Sequence, residues 1–342
     1  MSPAADPPAL RAVALEGSLL GPGFEAAAQA LTTLSEAGAL DPPLALRRAA
    51  LVHLAGSPRD RQALEVALHM AREAGDLRTA AQALLWQIRW GVESGAPKPA
   101  QVPRLPRGLA DDPELDADLA LVEALCDPPR ARACQQRALQ ALPSPSRDHD
   151  RLEVMVQLAA TERDGGDLSR ARHWLQAALD LARHHDAARA AVPVRLALGL
   201  LELEAGDRAA AAAALAPAVA QGDPEQVEVL AAASILLALH VDAGRGEAGL
   251  AAAEALERCA EARGNAIARA DAAIGRSTCL LLQGHRDAAI RTLLDAAVDA
   301  HQAAHEAATH LLRARLAELR HALGASAFDE AIAAARADPS AS

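Results

Sequence analysis

Apolar and polar positions never alternate over a strand's length in this chain. Val and Ile are sparse, and Ala, Leu, Arg, Glu and Gln, all strong helix formers, fill the sequence. Where a face can be read it has helical spacing, as in Leu312, Leu316, Leu319 and Leu323. The punctuation agrees. Asp112-Pro113-Glu114, Asp223-Pro224-Glu225 and Ser57-Pro58 each set a capping residue before a proline suited to the first helical position. Asp150 followed by Glu153 has the spacing of a capping box. These signals predict helices over 24–37, 43–55, 59–74, 77–92, 114–126, 129–142, 151–164, 168–184, 187–205, 208–221, 225–243, 247–262, 265–283, 286–300, 302–323 and 327–337. Pro97, Pro99, Pro103 and Pro106 predict a loop near 95–112, the one plausible subdomain boundary, and the tail 338–342 is expected to be disordered.

Four turns repeat: Gly166-Asp167, Gly206-Asp207, Gly244-Arg245 and Gly284-His285, separated by 40, 38 and 40 residues. Each glycine suits a left-handed helix end, and Asp167 or Asp207 can cap the helix that follows. Aligned on these glycines, mostly small residues fall into register. Ala159, Gly199, Leu237 and Ser277 come seven before the turn glycine, and Ala171, Ala211, Gly249 and Ala289 five after it. Ala178, Ala218, Leu256 and Ala296 come twelve after, while the larger Leu175, Leu215, Ala253 and Leu293 come nine after. The third unit breaks the pattern most often. Small residues at fixed places let paired antiparallel helices approach closely, and larger ones seal each hairpin to the next, as in a stacked array.

On these residues the chain resembles the tetratricopeptide repeat (TPR) family. The clearest units are RLEVMVQLAATERDGGDLSRARHWLQAALDLA, 151–182, and VRLALGLLELEAGDRAAAAAALAPAVA, 194–220. The repeat exceeds the family's usual length, which suggests the long-repeat type of bacterial signalling and regulatory proteins, and Leu, Ala or Glu fill the family's aromatic positions, so the stability of each unit is expected to rest on aliphatic packing. The resemblance implies an all-α solenoid, a right-handed superhelix of stacked antiparallel hairpins. Its expected organisation is degenerate N-terminal repeats over 1–96, the proline-rich loop over 97–112, TPR-like repeats over 113–300, capping helices over 301–337 and the tail. In such a fold the first helix of each unit lines a concave groove. The family's groove positions fall on Glu153, Val156, Ala160 and Arg163; Leu196, Leu200 and Leu203; Ser234, Ala238 and Val241; and Ile274, Thr278 and Leu281. That surface is mostly aliphatic, so the expected partner is an apolar protein or peptide segment.

Composition removes several alternatives. The chain of 342 residues carries a formal net charge of −11, a poor match to nucleic acid. With no Tyr, two Phe and three Trp, it offers few stacking platforms. Lys98 is the only lysine and Asn265 the only asparagine. That disfavours the Lys/Arg/Asn carboxylate clamp of chaperone-binding TPR proteins and the asparagine-lined groove of peptide-pheromone sensors. The N-terminus lacks the pattern of a secretory signal, no apolar run is long enough for a membrane helix, and the cysteines show no paired spacing. These features predict a cytoplasmic protein whose Cys126, Cys134, Cys259 and Cys279 are reduced and packed as small hydrophobes.

No catalytic motif is present. Gly244-Arg245-Gly246-Glu247-Ala248-Gly249 spells GxGxxG, but it lies in phase with three helical turns, so it reads as a repeat turn rather than a dinucleotide fingerprint. His301 and His305 have the spacing of a metal pair on one helix, yet no further ligand stands at a fixed spacing, so no metal or other cofactor is expected. Trp86 and Trp90 share a helix face and read as core, the alternative being an apolar anchor for a partner. Arg313, Arg315, Arg320 and His321 read as a solvated basic face. The leucine stripe 312–323 is expected to dock on the preceding hairpin or on a second chain, which leaves a homodimer open. The expected function is a non-enzymatic interaction scaffold or adaptor; the alternative is the effector-sensing part of a bacterial regulator.

Overall fold

The computed structural model describes residues 7–55, 57, 59–99 and 101–337. Pro58 and the tail 338–342, each the subject of a sequence expectation, lie outside the described residues. Among the described residues the secondary structure is entirely helical, and the fold is an all-α solenoid of antiparallel helix pairs. The chain divides into two compact units, Met1–Val194 and Arg195–Ser342.

The first unit holds α1 (Pro7–Glu16), α2 (Pro22–Glu36), α3 (Pro42–Leu54), α4 (Asp60–Ala74), α5 (Leu77–Glu93), α6 (Pro113–Cys126), α7 (Ala131–Ala141), α8 (Asp148–Asp164) and α9 (Leu168–His184). The division falls within α10 (Ala188–Glu204). The second unit continues through α11 (Arg208–Gln221), α12 (Val227–Asp242), α13 (Gly246–Ala262), α14 (Ala266–Leu282), α15 (Arg286–Gln302), α16 (Glu306–Leu323) and α17 (Ala325–Ala337). In the second unit each helix packs on its successor, and α12, α14 and α16 also pack one on the next, the contact pattern of stacked hairpins.

The repeat seen in the sequence is the repeat of the structure. Helices α8, α10, α12, α14 and α16 begin at residues 148, 188, 227, 266 and 306, a pitch of 39 to 40 residues. The turn glycines 166, 206, 244 and 284 all have φ between 67° and 84°, where a side chain would be strained. Asp167 and Asp207 cap the next helix, each accepting a hydrogen bond from the backbone N–H three residues on, worth about 1 kcal/mol apiece. Gly75-Asp76 and Gly264-Asn265 use the same device, outside the register read from sequence.

The aligned positions are interior, apart from the half-buried Ala296. Ala171, Ala211 and Ala289 have no exposed surface, and Gly249 sits where an added Cβ would fall 2.4 Å from the Cys279 sulfur. The GxGxxG segment is thus a repeat turn followed by a close crossing of α13 and α14. Leu215 and Leu293 are fully buried and contribute about 1.5–3 kcal/mol each. The leucine stripe of α16 packs with Ile290, Leu293 and Phe328 in one core. Cys134, Cys259 and Cys279 are buried thiols, and burial raises their pKa values.

Three local expectations are corrected. Helix α1, not anticipated, forms because Pro7 and Pro8 sit in its first turn, where no N–H is needed, and because Ala14 packs with no exposed surface in the N-terminal core. Helix α8 begins at Asp148 with no side-chain cap; the Asp150/Glu153 box does not form because arginines take both carboxylates. His301 lies in the last turn of α15 and His305 immediately precedes α16, so they do not share a helix; Ala304 reverses the chain between them at φ 57°. The proline-rich segment carries one turn of 3-10 helix at Arg107–Leu109, and Val102, Leu105 and Leu109 pack on Leu85, Leu115 and Val122.

Candidate functional site

The predicted groove residues divide between the two units, and each set is described within its own. In the second unit Leu196, Leu200 and Leu203 lie on α10, Ser234 and Val241 on α12, and Ile274 and Thr278 on α14. All are at least partly exposed: Leu200 is 43% exposed and Ser234 is exposed, while the others are half-buried. Close packing of α14 on α12 is set by Gly275, where a Cβ would stand 2.4 Å from Leu237. Arg315 of α16 donates to the Thr278 hydroxyl at 3.3 Å, linking α14 to α16. This face therefore presents small polar groups and aliphatic side chains.

In the first unit Val156 is half-buried and Arg163 exposed on α8, with Arg163 paired to Asp164. Glu153 is not a free groove position, because its carboxylate is bound by Arg89 of α5. That contact belongs to a buried ionic network that the sequence reading missed. Arg89 donates to Asp150 at 2.9 Å and to Glu93 at 3.2 Å. Arg147, in the turn before α8, donates to Asp118 of α6 at 2.6 Å and also to Asp150. Gln82 of α5 donates to the same Asp118 at 3.0 Å. Arg89, Arg147, Asp118 and Asp150 are all at most 4% exposed.

The electrostatics follow from burial set against pairing. Burial disfavours the Arg147 guanidinium charge, but Asp118 and Asp150 outweigh it and raise the pKa. Burial likewise pushes Asp150 up, yet Arg147, His149 and Arg89 together hold it well below the usual carboxylate range. Glu93 goes the other way. Burial, with Glu153 adding repulsion, lifts it to about 7 despite Arg89.

Above this network lies a cleft of about 480 Å³. Leu15 and Glu16 of α1, Leu46 and Arg47 of α3, and Thr79, Gln82 and Trp86 of α5 line it with Glu114 and residues 144–147. Arg147 stacks on Trp86 at 5.2 Å, a cation–π contact. Trp86 and Trp90 are core residues, 4% and 5% exposed, with His53 stacked on Trp90. Arg78 is held by Asp112 at 2.6 Å and Glu114 at 2.9 Å. Arg47 differs from both other arginines of the cleft. It is 6% exposed, and its guanidinium donates to the carbonyls of Ala14 at 3.1 Å, Ser146 at 2.8 Å and Gly17. Among the described residues it forms no ion pair. Burial, with Arg147 adding repulsion, pushes its pKa down to about 10.

Among the described residues no group of three or more His, Cys, Asp and Glu is placed to hold a metal ion, and no helix is long and apolar enough to cross a membrane.

No family model matches the chain, and no curated protein matches it either. Among solved structures it is similar to the MamA protein, at 17% identity over 55% of this chain and 94% of that one, with a TM-score of 0.37. It is similar to BtubC (BKLC) from P. vanneervenii, at 16% identity over 65% and 89%, with a TM-score of 0.39. It is also similar to Rap protein complexed with competence and sporulation factor, at 13% identity over 92% and 95%, with a TM-score of 0.46.

Proposed function

We propose that this chain is a non-enzymatic helical-repeat scaffold whose second unit binds an apolar segment of another protein along the first helices of its hairpins. The observation that carries this reading is the exposure of Leu200 on a face that continues in half-buried aliphatic residues. A large aliphatic side chain left in water at the middle of a repeat helix gains by being covered. The partner is accordingly an apolar helix or extended segment. Formal charge is thin among the named residues of this face, so affinity comes from buried apolar area, at about 25 cal/mol per Å² before the costs of association.

The test compares proteins retained by wild type and by Leu200→Glu at low and high salt. A stoichiometric partner that survives high salt on wild type and is lost from Leu200→Glu is the expected result. A partner that leaves with salt and ignores the substitution refutes this face, because attraction between exposed charges is screened beyond about 10 Å at 0.1 M. The alternative reading, the effector-sensing part of a regulator, is favoured by one observation, the polar cleft of the first unit.

A further inference from the structure

We infer that the cleft in the first unit is a binding site for a small organic acid, whose carboxylate is received by Arg47 and whose apolar body lies along Leu15, Leu46 and Pro145. The inference gives the effector-sensing alternative a ligand chemistry. It does not depend on the partner face, which lies in the other unit.

The argument starts from the cations that line the cleft. Arg78 and Arg147 each have two carboxylate partners. Arg47 has backbone carbonyls alone. Carbonyl dipoles fix its orientation, and Asp150 and Glu114 offset part of its charge from a distance, but no carboxylate bonds to it in a nearly dry setting, where an unneutralised charge is costly. A guanidinium carries five N–H donors in a planar fork matched to a carboxylate. Three bonds to carbonyls leave two donors for a ligand. Arg147 stands in the same cleft and adds to the positive potential there.

The rest of the lining selects what carries the anion. Leu15, Leu46 and Pro145 are apolar, and about 480 Å³ is room for a small organic molecule rather than a bare ion. Glu16 and Glu114 also line the cleft. They disfavour a polyanion and leave a monoanion as the better match.

The test uses Ser146→Asp. Ser146 lines the cleft, is half-buried, and already touches Arg47 through its carbonyl. An aspartate there supplies the missing carboxylate from within the chain. The same change therefore stabilises the fold and blocks the site, so loss of binding is not confused with unfolding. All three tryptophans (Trp86, Trp90 and Trp174) belong to the first unit, so thermal unfolding followed by their fluorescence reports that unit. The purified full chain is titrated with hexanoate, with hexanamide as the uncharged body and with sodium chloride at equal ionic strength. Expected is a saturable rise in melting temperature with hexanoate alone. In Ser146→Asp the melting temperature without ligand should be higher and the apparent hexanoate affinity at least tenfold weaker. No hexanoate shift beyond that of chloride, an equal shift with hexanamide, or an undiminished shift in Ser146→Asp would each overturn the inference.

Discussion

Asp118→Asn removes one negative charge from the centre of the first unit while changing almost no volume. Asp118 is 1% exposed and accepts from Arg147 at 2.6 Å and 3.3 Å and from Gln82 at 3.0 Å. In the variant an amide replaces one acceptor oxygen, so two N–H donors face each other where a charge-assisted pair stood. Arg147 keeps Asp150, but that carboxylate already serves Arg89 and His149. Breaking a buried pair on one side costs about 3–5 kcal/mol, because the surviving charge stays desolvated. In a unit of this size each kcal/mol moves the melting temperature by roughly 2–4 °C, so a fall of roughly 6–20 °C is expected. Tryptophan fluorescence during denaturant unfolding reads the change in the unit that contains it. The control, in the same unit, is Asp180→Asn, which breaks an exposed pair with Arg183 and should cost less than about 1 kcal/mol. If Asp118→Asn cost no more than the control, the network would be hydrated in solution, and the burial argument would fail for Arg47 as well.

Two further outcomes follow from the packing and the charges. Ala171→Leu and Ala211→Leu insert bulk at positions with no exposed surface and should each destabilise by about 1–3 kcal/mol; unchanged melting temperatures for both would refute the repeat register. Glu93, lifted to about 7 in the folded protein, keeps a proton that the unfolded chain releases near pH 4.3. Its contribution is therefore full below that value and is lost as pH rises through 7. Glu93→Gln mimics the protonated form, so its melting temperature should nearly equal wild type at pH 4 and exceed it at pH 8, by up to about 3 kcal/mol in stability; a gap that does not change with pH would refute the shift.

The fold was legible because its determinants are local. A glycine at a helix end and an aspartate beside it act within four residues, so Gly166-Asp167 and Gly206-Asp207 announce themselves in sequence. Small residues at fixed offsets from them, such as Ala171 and Ala211, then mark the helix crossings. Helix α1 escaped this logic because its anchor, Ala14, is buried by α2 and α3, and nothing near it in sequence says so. The Asp150/Glu153 pair shows the converse error. A local pattern was present, but Arg89, about sixty residues away in sequence, competes for the carboxylates and wins, because a buried guanidinium is costlier to leave unpaired than an exposed N–H.

The cleft was illegible for the same reason carried further. Its chemistry rests on Arg47 and Arg147, which, with Arg89 of the adjoining network, find most of their partners 29 to 99 residues away in sequence; only Glu93 for Arg89 and Asp150 for Arg147 are local. Composition held one clue: nearly every basic residue is arginine, the side chain suited to buried multidentate pairing. The structure concentrates that use. Among the described residues the buried arginines and aspartates (Arg47, Arg89, Arg147, Asp118, Asp148 and Asp150) all fall in the first unit. The second unit has an alanine- and leucine-rich interior in which, among the described residues, Glu202 is the buried charge, while large aliphatic side chains are exposed in both units, Leu77 in the first and Leu200 in the second. This asymmetry in buried charge underlies the two different binding modes proposed for the two units. Side chains fixed by buried pairs lose little freedom when a ligand arrives, which favours selective capture of a small charged molecule in the first. An aliphatic face gains by area, which favours a larger apolar segment on the second. Salt should therefore weaken hexanoate binding, which depends on charge, while leaving a Leu200-dependent partner bound.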